Sequence, residues 1–315
     1  MTSILTNNAA IAALSTLRSI NTSMETTQSR ISSGYEIETA KDNAAYWSIA
    51  TTMRSDNKAL STVQDALGLG AATSDVAYTA LESSIDVVDE IKSKITAASE
   101  PGVDKDKVQK EIKQLQDQLL SIAKSASFSG ENWVYHSDDA PAGTESIVGS
   151  FNRDAEGSVS LTTLNFDTSK SSLIYVDGDG KVDSSGSALL SQHIEYTDST
   201  GTGTTANFSV MSLDVSGMET AAQLDEALKA IDTVLQDMTD AAADVGSITK
   251  RIDMQTTFVS DLMDSIETGV GKLVDADMNE ESTRLKALQT QQQLGVQALS
   301  IANSASQNIL SLFQQ

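Results

Sequence analysis

The chain has 315 residues, of which 39% are hydrophobic, and a formal net charge of −23 from 44 acidic and 21 basic side chains. The length is sufficient for two or three domains, and the hydrophobic content is sufficient for packed cores. The acidic excess excludes nucleic-acid binding and disfavours an anionic membrane surface, because phosphates would be repelled. No cysteine occurs, which excludes disulfides and thiolate metal sites.

The first 17 residues carry no charged side chain, and their apolar positions have helical spacing that continues to residue 31. This pattern predicts a helix with one apolar stripe, formed by Ile4, Ile11, Leu14, Leu17, Ile20, Met24 and Ile31. The segment lacks the basic region and uninterrupted apolar run of a secretory signal peptide. If the protein is exported, we expect a different route.

Three further segments predict helices in the body of the chain. Residues 44–98 keep an apolar helical rhythm through Ile49, Met53, Leu60 and Leu67 to Ile95, interrupted only by Gly68 and Gly70. Pro101 and Gly102 predict a turn, and residues 108–126 then resume the rhythm, which indicates a helical hairpin. The same spacing returns between residues 224 and 266 and predicts another long helix.

Residues 129–217 have a different texture, rich in Gly, Ser, Thr and Asp, with 13 acidic and 3 basic side chains. Short alternating runs predict strands at residues 158–164, 172–176, 193–197 and 207–215. We interpret this segment as a small, exposed, β-rich insert between the helical parts.

Residues 287–315 also contain no charged side chain. A helical stripe that begins just before this segment is formed by Leu285, Leu288, Gly295, Leu299, Ala302, Ile309 and Phe313. The remaining faces are rich in Gln, Asn and Ser, which are too polar for a membrane-spanning helix of about 20 apolar residues. We therefore predict that the two terminal stripes pair and that their uncharged backs contact neighbouring molecules. The alternative is a solvated amphipathic pair in a monomer, although solvated helix faces usually carry interspersed charge.

These segments predict a mainly α fold with long antiparallel helices and a terminal coiled coil, folded back so that both chain ends lie together. Residues 1–41 and 273–315 would form the coiled-coil domain, and residues 42–128 and 218–272 a helical bundle. Residues 129–217 would form the β-rich variable insert.

Two separated motifs carry a family resemblance. The first includes Arg30, Ser32, Ser33, Gly34, Ala40, Asp42, Ala44 and Ala45. Locally, Gly34 permits a turn after one helix and Asp42 can cap the next. The second motif includes Asp275, Asp277, Glu281, Gln289, Asn303 and Leu310. Both motifs, in this order and at these ends, closely resemble the terminal signatures of bacterial flagellin.

The resemblance implies a filament subunit whose terminal helices line a central channel, with the long helices in a surrounding tube and the insert outward. It implies export through the flagellar type III apparatus and an extracellular location on the bacterial flagellum. The implied partners are identical subunits, other flagellins, an export chaperone, the filament cap and hook-junction proteins. A hook-filament junction protein is the nearest alternative, and an adhesin acting through residues 129–217 is another.

Some positions depart from the family pattern. Glu36 replaces a usual basic residue, Asn43 replaces an acid, and Tyr46 with Trp47 replaces a small pair. Because this bulk must be buried somewhere, we predict a subunit contact at Tyr46 and Trp47 that differs from the family norm.

No catalytic or cofactor site is predicted. The two histidines, His136 and His193, do not form an H-E-x-x-H zinc motif and are expected to be surface or turn residues. The segment from Asp177 to Asp183 resembles a calcium loop superficially, but Lys181 occupies a ligand position, so a hairpin turn is expected. No convergent Ser-His or Cys-His set indicates an enzyme.

Overall fold

The computed structural model describes residues 7–138, 140–154, 156–177, 181–182, 188–191, 209–218 and 220–312, with side chains up to Ser304. Within these residues the fold is mainly helical, as predicted. The helices are α1 (Asn8–Ser33), α2 (Ala44–Ala98), α3 (Lys105–Ser125), α4 (Ala221–Val274) and α5 (Met278–Leu312). The strands are β1 (Tyr135–Ser137), β2 (Thr144–Arg153), β3 (Val159–Asp167) and β4 (Ile174–Val176). The chain divides into two compact units, residues 1–58 with 263–315 and residues 59–262.

In the first unit, α1 and α5 pack against each other in antiparallel orientation. The Asn7 side chain caps the first turn of α1 by accepting a hydrogen bond from the backbone N–H of Ala10. Its amide nitrogen Nδ2 also donates to the carbonyl oxygen of Ala302 at 3.0 Å. The prediction that the two terminal segments lie together is therefore confirmed.

In the second unit, α2, α3 and α4 share an apolar core. The side chains that are almost fully buried there include Leu60, Leu67, Leu81, Ile91, Ile95, Ile112, Leu119 and Leu224. Gly68 and Gly70 do not interrupt α2, and the predicted hairpin between α2 and α3 is confirmed. Gly102 lies in the left-handed region with φ of 95°, as a turn requires. The Ser74 and Thr249 hydroxyls meet at 2.6 Å and join α2 to α4.

The strands form two small sheets. Strands β2 and β3 pair in antiparallel register with an irregularity between Val148 and Ser150, whereas β1 and β4 pair in parallel. The strands predicted at residues 158–164 and 172–176 are confirmed in part by β3 and β4. Strand β2 was not predicted, and the strand predicted at residues 193–197 lies outside the described residues.

The strand predicted at residues 207–215 is wrong over its described part. Val210–Ser212 forms a short 3-10 helix instead. Its backbone is satisfied by α3, because Gln116 Nε2 donates to the carbonyl oxygens of Val210 and Leu213 at 2.8 and 3.1 Å. With their acceptors bonded to a side chain, these residues need no neighbouring strand.

The segment 129–217 is also less exposed than predicted. Its buried apolar residues include Trp133, Val134, Leu173, Ile174, Leu190, Leu213 and Val215. The Trp133 ring stacks on Phe166 with 5.0 Å between centroids. The interpretation of His136 as a surface residue is wrong, because only 5% of it is exposed. The base of the insert therefore belongs to the core of the second unit.

Candidate assembly surface at the terminal helices

The contact between α1 and α5 follows a strict heptad pattern, with alternating steps of three and four residues. We call this contact the seam, and its positions on α1 are Ala10, Ala13, Leu17, Ile20, Met24, Thr27 and Ile31. Its positions on α5 are Glu281, Leu285, Leu288, Gln292, Gly295, Leu299 and Ala302. Every seam position is half-buried or buried, while the residues between them are mostly exposed. This periodicity is that of an antiparallel coiled coil.

Only some of the residues predicted for the terminal coiled coil lie on the seam. Those that lie on the seam are Leu17, Met24, Ile31, Leu285, Leu288, Leu299 and Ala302. Ile11 and Leu14 lie off the seam and are 59% and 39% exposed, so the structure places these two residues outside the contact between α1 and α5. Ile4 and Phe313 lie outside the described residues, as does the side chain of Ile309.

The stripe predicted for α1 differs from the seam in the structure because several α1 residues that pack on α5 are small. Ala10, Ala13 and Thr27 occupy the seam, but they contribute little to a hydrophobic pattern. Ile11 and Leu14 are larger and more apolar, so the sequence pattern placed them on the stripe. Each lies one residue beyond a seam position. On α5, Gln292 was missed for a different reason, because its amide is polar and the predicted stripe consisted of apolar or small residues.

The outer faces of the helical pair are apolar in places and carry no charge over residues 287–315. Their large exposed side chains are Ile11, Leu14, Leu294, Val296 and Ile301. Ile301 is 70% exposed and Leu294 is 59% exposed. Exposed apolar residues grouped in this way, rimmed by polar residues, mark an interaction surface.

A short backbone bridge joins the inner ends of the two helices. Tyr35 and Asp275 pair as an isolated antiparallel bridge, and the Ala276 N–H donates to the Gly34 carbonyl oxygen at 2.9 Å. The Val274 carbonyl oxygen accepts hydrogen bonds from the N–H groups of Glu36 and Ile37 at 2.7 and 3.2 Å. We call residues 34–37 and 274–276 the joint.

The joint is supported by Gly34 and by a small apolar core. Gly34 ends α1 with φ of 78°, and its N–H donates to the Arg30 carbonyl oxygen, so the predicted turn is confirmed. Ile37, Ala50, Val270 and Val274 form the buried cluster, and Met53, Ile266 and Leu273 pack against it. Arg54 lies over the Tyr35 ring at 4.8 Å from the centroid, in cation–π geometry.

Two of the signature residues meet across the seam. Arg30 Nη1 donates to Glu281 Oε1 at 3.1 Å, and Arg284 Nη1 donates to the same oxygen at 3.0 Å. Glu281 is only 4% exposed. A buried carboxylate requires such charged donors, because desolvation of an unpaired charge is costly. These two motifs, far apart in sequence, therefore form one ionic cluster.

Other signature residues define the ends of helices. The Asp277 carboxylate accepts hydrogen bonds from the N–H groups of Asn279 and Glu280 and caps α5. Ser33 Oγ accepts from the Tyr35 N–H at 3.2 Å. The remaining signature residues are exposed: Ser32, Ala40, Ala44, Ala45, Asp275, Gln289 and Asn303. The side chain of Leu310 lies outside the described residues.

The predicted capping role of Asp42 is wrong. Its carboxylate instead closes the preceding loop, where Oδ2 accepts hydrogen bonds from the N–H groups of Glu38 and Thr39 and from Thr39 Oγ1. Backbone hydrogen bonding from Thr39 is the largest of the effects that lower the pKa of Asp42. The cap of α2 is Asn43, whose Oδ1 accepts from the N–H groups of Ala45 and Tyr46. Asn43 is the position where the family pattern has an acid.

Tyr46, Trp47 and Ile49 lie on the first turns of α2 and are exposed by 46%, 37% and 48%. Ile49 therefore lies outside the core, although the helical rhythm of α2 included it. The bulk at positions 46 and 47 is not buried within the chain. It forms a second exposed apolar patch, next to the joint in sequence.

No group of three or more His, Cys, Asp or Glu side chains suited to a metal ion occurs among the described residues. Asp177 and Lys181 exchange two hydrogen bonds of 2.9 Å, which agrees with a turn there, while residues 178–180 are not described. Over the described part of the chain, no helix has both the length and the apolar character needed to cross a bilayer. Together, the fold and the seam define a mainly helical structural protein with paired terminal helices.

Comparisons with known proteins agree with this class. Residues 4–138 match the bacterial flagellin N-terminal helical region, and residues 228–313 match the bacterial flagellin C-terminal helical region. Flagellin C of Rhizobium meliloti (strain 1021) is 58% identical over 325 aligned residues, with all of both chains covered. Flagellin A of Rhizobium meliloti is 49% identical and a flagellin of Brucella melitensis is 43% identical, again with full coverage of both chains. Among solved structures, Bacillus cereus flagellin covers 63% of this chain and 88% of its own, with 20% identity and a TM-score of 0.39.

The chain therefore belongs to the bacterial flagellin family, whose members are the structural subunits of the motility filament. The comparisons do not support the alternatives of a hook-filament junction protein or an adhesin.

Proposed function

We propose that this chain polymerises with copies of itself into an extracellular flagellar filament, and that burial of the terminal helical pair drives the assembly. The supporting observation is the seam together with its uncharged, partly apolar outer faces. Ile11, Leu294 and Ile301 would pack against neighbouring copies and lose contact with water. Such burial contributes about 25 cal/mol per Å² of apolar area.

The proposed domain arrangement follows the family plan. Residues 1–41 and 273–315 form the terminal coiled coil that lines the channel, with their Gln, Asn and Ser side chains facing water or other copies. Residues 42–128 and 218–272 form the surrounding helical layer, and residues 129–217 face outward. The joint follows α1 and precedes α5, and we propose the domain division there, whereas the two compact units divide farther along α2 and α4, near residues 58 and 262.

The terminal helices fold mainly during assembly. On α1 only Thr27 is buried, and on α5 the buried position with described side chains is Glu281, so the pair is weakly covered in a single chain. Long helices whose apolar side chains are poorly covered are marginally stable in water. The signature residues Ala44, Ala45, Gln289 and Asn303 are exposed in the single chain, and we propose that they contact other copies in the filament.

Truncation of residues 294–315 tests this function. We expect the purified truncated protein to remain monomeric when it is added to filament seeds, because the outer half of α5 is lost. Electron microscopy and sedimentation would measure fibre growth against the full chain. Undiminished growth of the truncated protein would contradict the proposal.

A matched control removes part of the insert instead. Replacement of residues 153–159 by Asn-Gly shortens the exposed end of the β2–β3 hairpin and keeps the buried Ile147, Leu164 and Phe166, and an outward-facing segment is not needed for assembly. We expect this variant to polymerise at a rate close to that of the full chain.

Circular dichroism and hydrogen exchange of the monomer test the folding step. We expect amides of residues 8–33 and 278–312 to exchange rapidly in dilute solution and slowly in filaments. Slow exchange in the monomer would show that folding precedes assembly.

The remaining partners follow from the family. They are other flagellins, an export chaperone, the filament cap and hook-junction proteins, with export through the type III apparatus as an unfolded chain. The absence of cysteine suits that route, because no disulfide can form before export. We propose that the role is mechanical, as expected for a structural subunit of a filament.

A further inference from the structure

The seam contains two polar layers in otherwise small and apolar surroundings. In the inner layer, Arg30 of α1 pairs with Glu281 of α5, and in the outer layer Gln292 Nε2 donates to Asn21 Oδ1 at 2.9 Å. Glu281 and Gln292 both occupy seam positions. We propose that these two layers select the register in which α1 pairs with α5.

The rest of the seam discriminates poorly between registers. The other seam positions carry Leu, Ile, Met, Ala, Gly and Thr. Small or apolar residues of this kind therefore occupy most seam positions along both helices. A shift of α5 by one heptad would again bring apolar positions together, because the 3-4 spacing repeats. Packing alone therefore leaves registers that differ by seven residues similar in free energy.

The inner layer makes such a shift costly. Glu281 Oε1 accepts hydrogen bonds from two guanidinium groups, and its Oε2 is buried without a partner among the described atoms. A one-heptad shift would remove Arg30 from Glu281 and would place Arg30 against Leu288 or the start of the joint. Arg284 would remain, because it lies one turn away on the same helix.

The unpaired oxygen also indicates specificity rather than maximal stability. A buried charge with one unsatisfied oxygen is a poor way to stabilise a coiled coil, and an apolar pair of similar size would often be as stable. Buried polar residues at seam positions are known to specify register in coiled coils at a cost in stability. The joint fixes the inner ends of the two helices through backbone hydrogen bonds and the burial of Ile37, and the two polar layers act along the seam beyond it.

Engineered cysteines can report the register, since the chain has no native cysteine. Leu17 and Gly295 face each other, with a Cβ at Gly295 only 3.3 Å from Leu17 Cδ1. The pair Leu17→Cys with Gly295→Cys reports the observed register. The pairs Leu17→Cys with Leu288→Cys and Leu17→Cys with Ala302→Cys report shifts of one heptad in either direction.

Each cysteine pair is placed in the full chain with native layers, with Arg30→Leu/Glu281→Leu, and with the swapped layer Arg30→Glu/Glu281→Arg/Arg284→Glu, in which the third change reverses the charge of the second partner of residue 281. Filaments grown from native seeds are oxidised and digested, and disulfide-linked peptides are quantified by mass spectrometry. Filaments mixed from chains with one cysteine each identify links between chains.

With native layers we expect at least tenfold more 17–295 product than either shifted product. The apolar variant should give comparable amounts of observed and shifted products, whereas the swapped layer should restore the native ratio. The proposal is overturned if the apolar variant keeps the native ratio or if the swapped layer gives mixed products.

The outer layer provides a second variant in case the inner apolar variant does not assemble. Asn21→Ala/Gln292→Leu changes residues that are partly exposed, and it should lower the ratio of observed to shifted products at least threefold. An unchanged ratio in this variant would also overturn the proposal. Failure of truncation to block assembly would contradict the proposed function and would leave these ratios as an independent measurement.

Discussion

Gly295 of α5 lies directly against Leu17 of α1, because a Cβ atom at position 295 would be 3.3 Å from Leu17 Cδ1. No other seam position is a glycine, and the contact follows from the heptad position of residue 295. A side chain larger than a methyl group there would separate the two helices.

Substitution of Gly295 is therefore expected to depend on size. Gly295→Ala should be nearly neutral, since about 1 kcal/mol gained in helix propensity offsets the tight contact with a flexible leucine. Gly295→Val should destabilise filaments by about 1–3 kcal/mol through overpacking. The melting temperature of filaments measures both effects, and Leu17→Ala should partly rescue the valine variant. Equal melting temperatures for all variants would show that the seam is not closely packed here.

Two glycines of α2 form a matched pair in the second unit. A Cβ at Gly68 would meet nothing within 4 Å, whereas a Cβ at Gly70 would lie 2.8 Å from both Ile147 Cδ1 and Ile147 Cγ2. We expect Gly68→Ala to raise the free energy of unfolding by up to about 1 kcal/mol. Gly70→Ala should lower it by about 1–3 kcal/mol, because the whole Ile147 side chain must move. Urea unfolding of the monomer distinguishes these outcomes, and Ile147→Ala should reduce the penalty of Gly70→Ala.

Asn43 caps α2, so Asn43→Ala should destabilise the joint region by about 1 kcal/mol. Asn43→Asp should be neutral or stabilising, because a carboxylate accepts the same hydrogen bonds and interacts favourably with the helix dipole. Filament melting temperatures would measure the difference. A loss in the aspartate variant as large as in the alanine variant would contradict the capping role.

His136 should make the stability of the monomer depend on pH. Burial is the main cause that lowers the pKa of this histidine below its usual value of 6.5. As the pH falls below about 6.5, the unfolded chain binds a proton before the folded chain does, so stability is lost. The slope is at most about 1.4 kcal/mol per pH unit for one proton. Urea unfolding between pH 5 and 8 would measure it, and in His136→Gln this part of the pH dependence should disappear.

The exposed aromatic pair on α2 should serve assembly and not folding. Trp47→Ala is expected to raise the critical concentration for polymerisation at least tenfold while leaving the urea midpoint of the monomer unchanged. The reason is that Trp47 is 37% exposed in the single chain and would be buried only against another copy. The exposed residue Tyr78, on the same helix and 40% exposed, is a comparison site for an aromatic-to-alanine change. A critical concentration that stays the same in Trp47→Ala would rule out the contact.

The long helices were predictable because helical periodicity is a local property of the chain. Residues 44–98 were predicted as one helix, and α2 has the same bounds. On α5, the predicted stripe residues Leu285, Leu288, Leu299 and Ala302 repeat at heptad spacing, and all four lie on the seam. The predicted stripe of α1 was less accurate because its seam contains alanines and a threonine, which resemble solvent-facing residues.

Local pattern, neutral chain ends and the two signature motifs thus established the family, the helices and the turn at Gly34, because these depend on neighbours in sequence. Three features could be seen only in the tertiary structure. They are the contact of Arg30 with Glu281, the burial of His136, and the separate roles of Asp42, which closes the loop, and Asn43, which caps α2. The first two depend on which distant residues come together, and the third on which of several nearby N–H groups each side chain reaches. Alternating polarity does not encode such choices, since each is settled by three-dimensional geometry and by the cost of leaving a buried polar group unpaired.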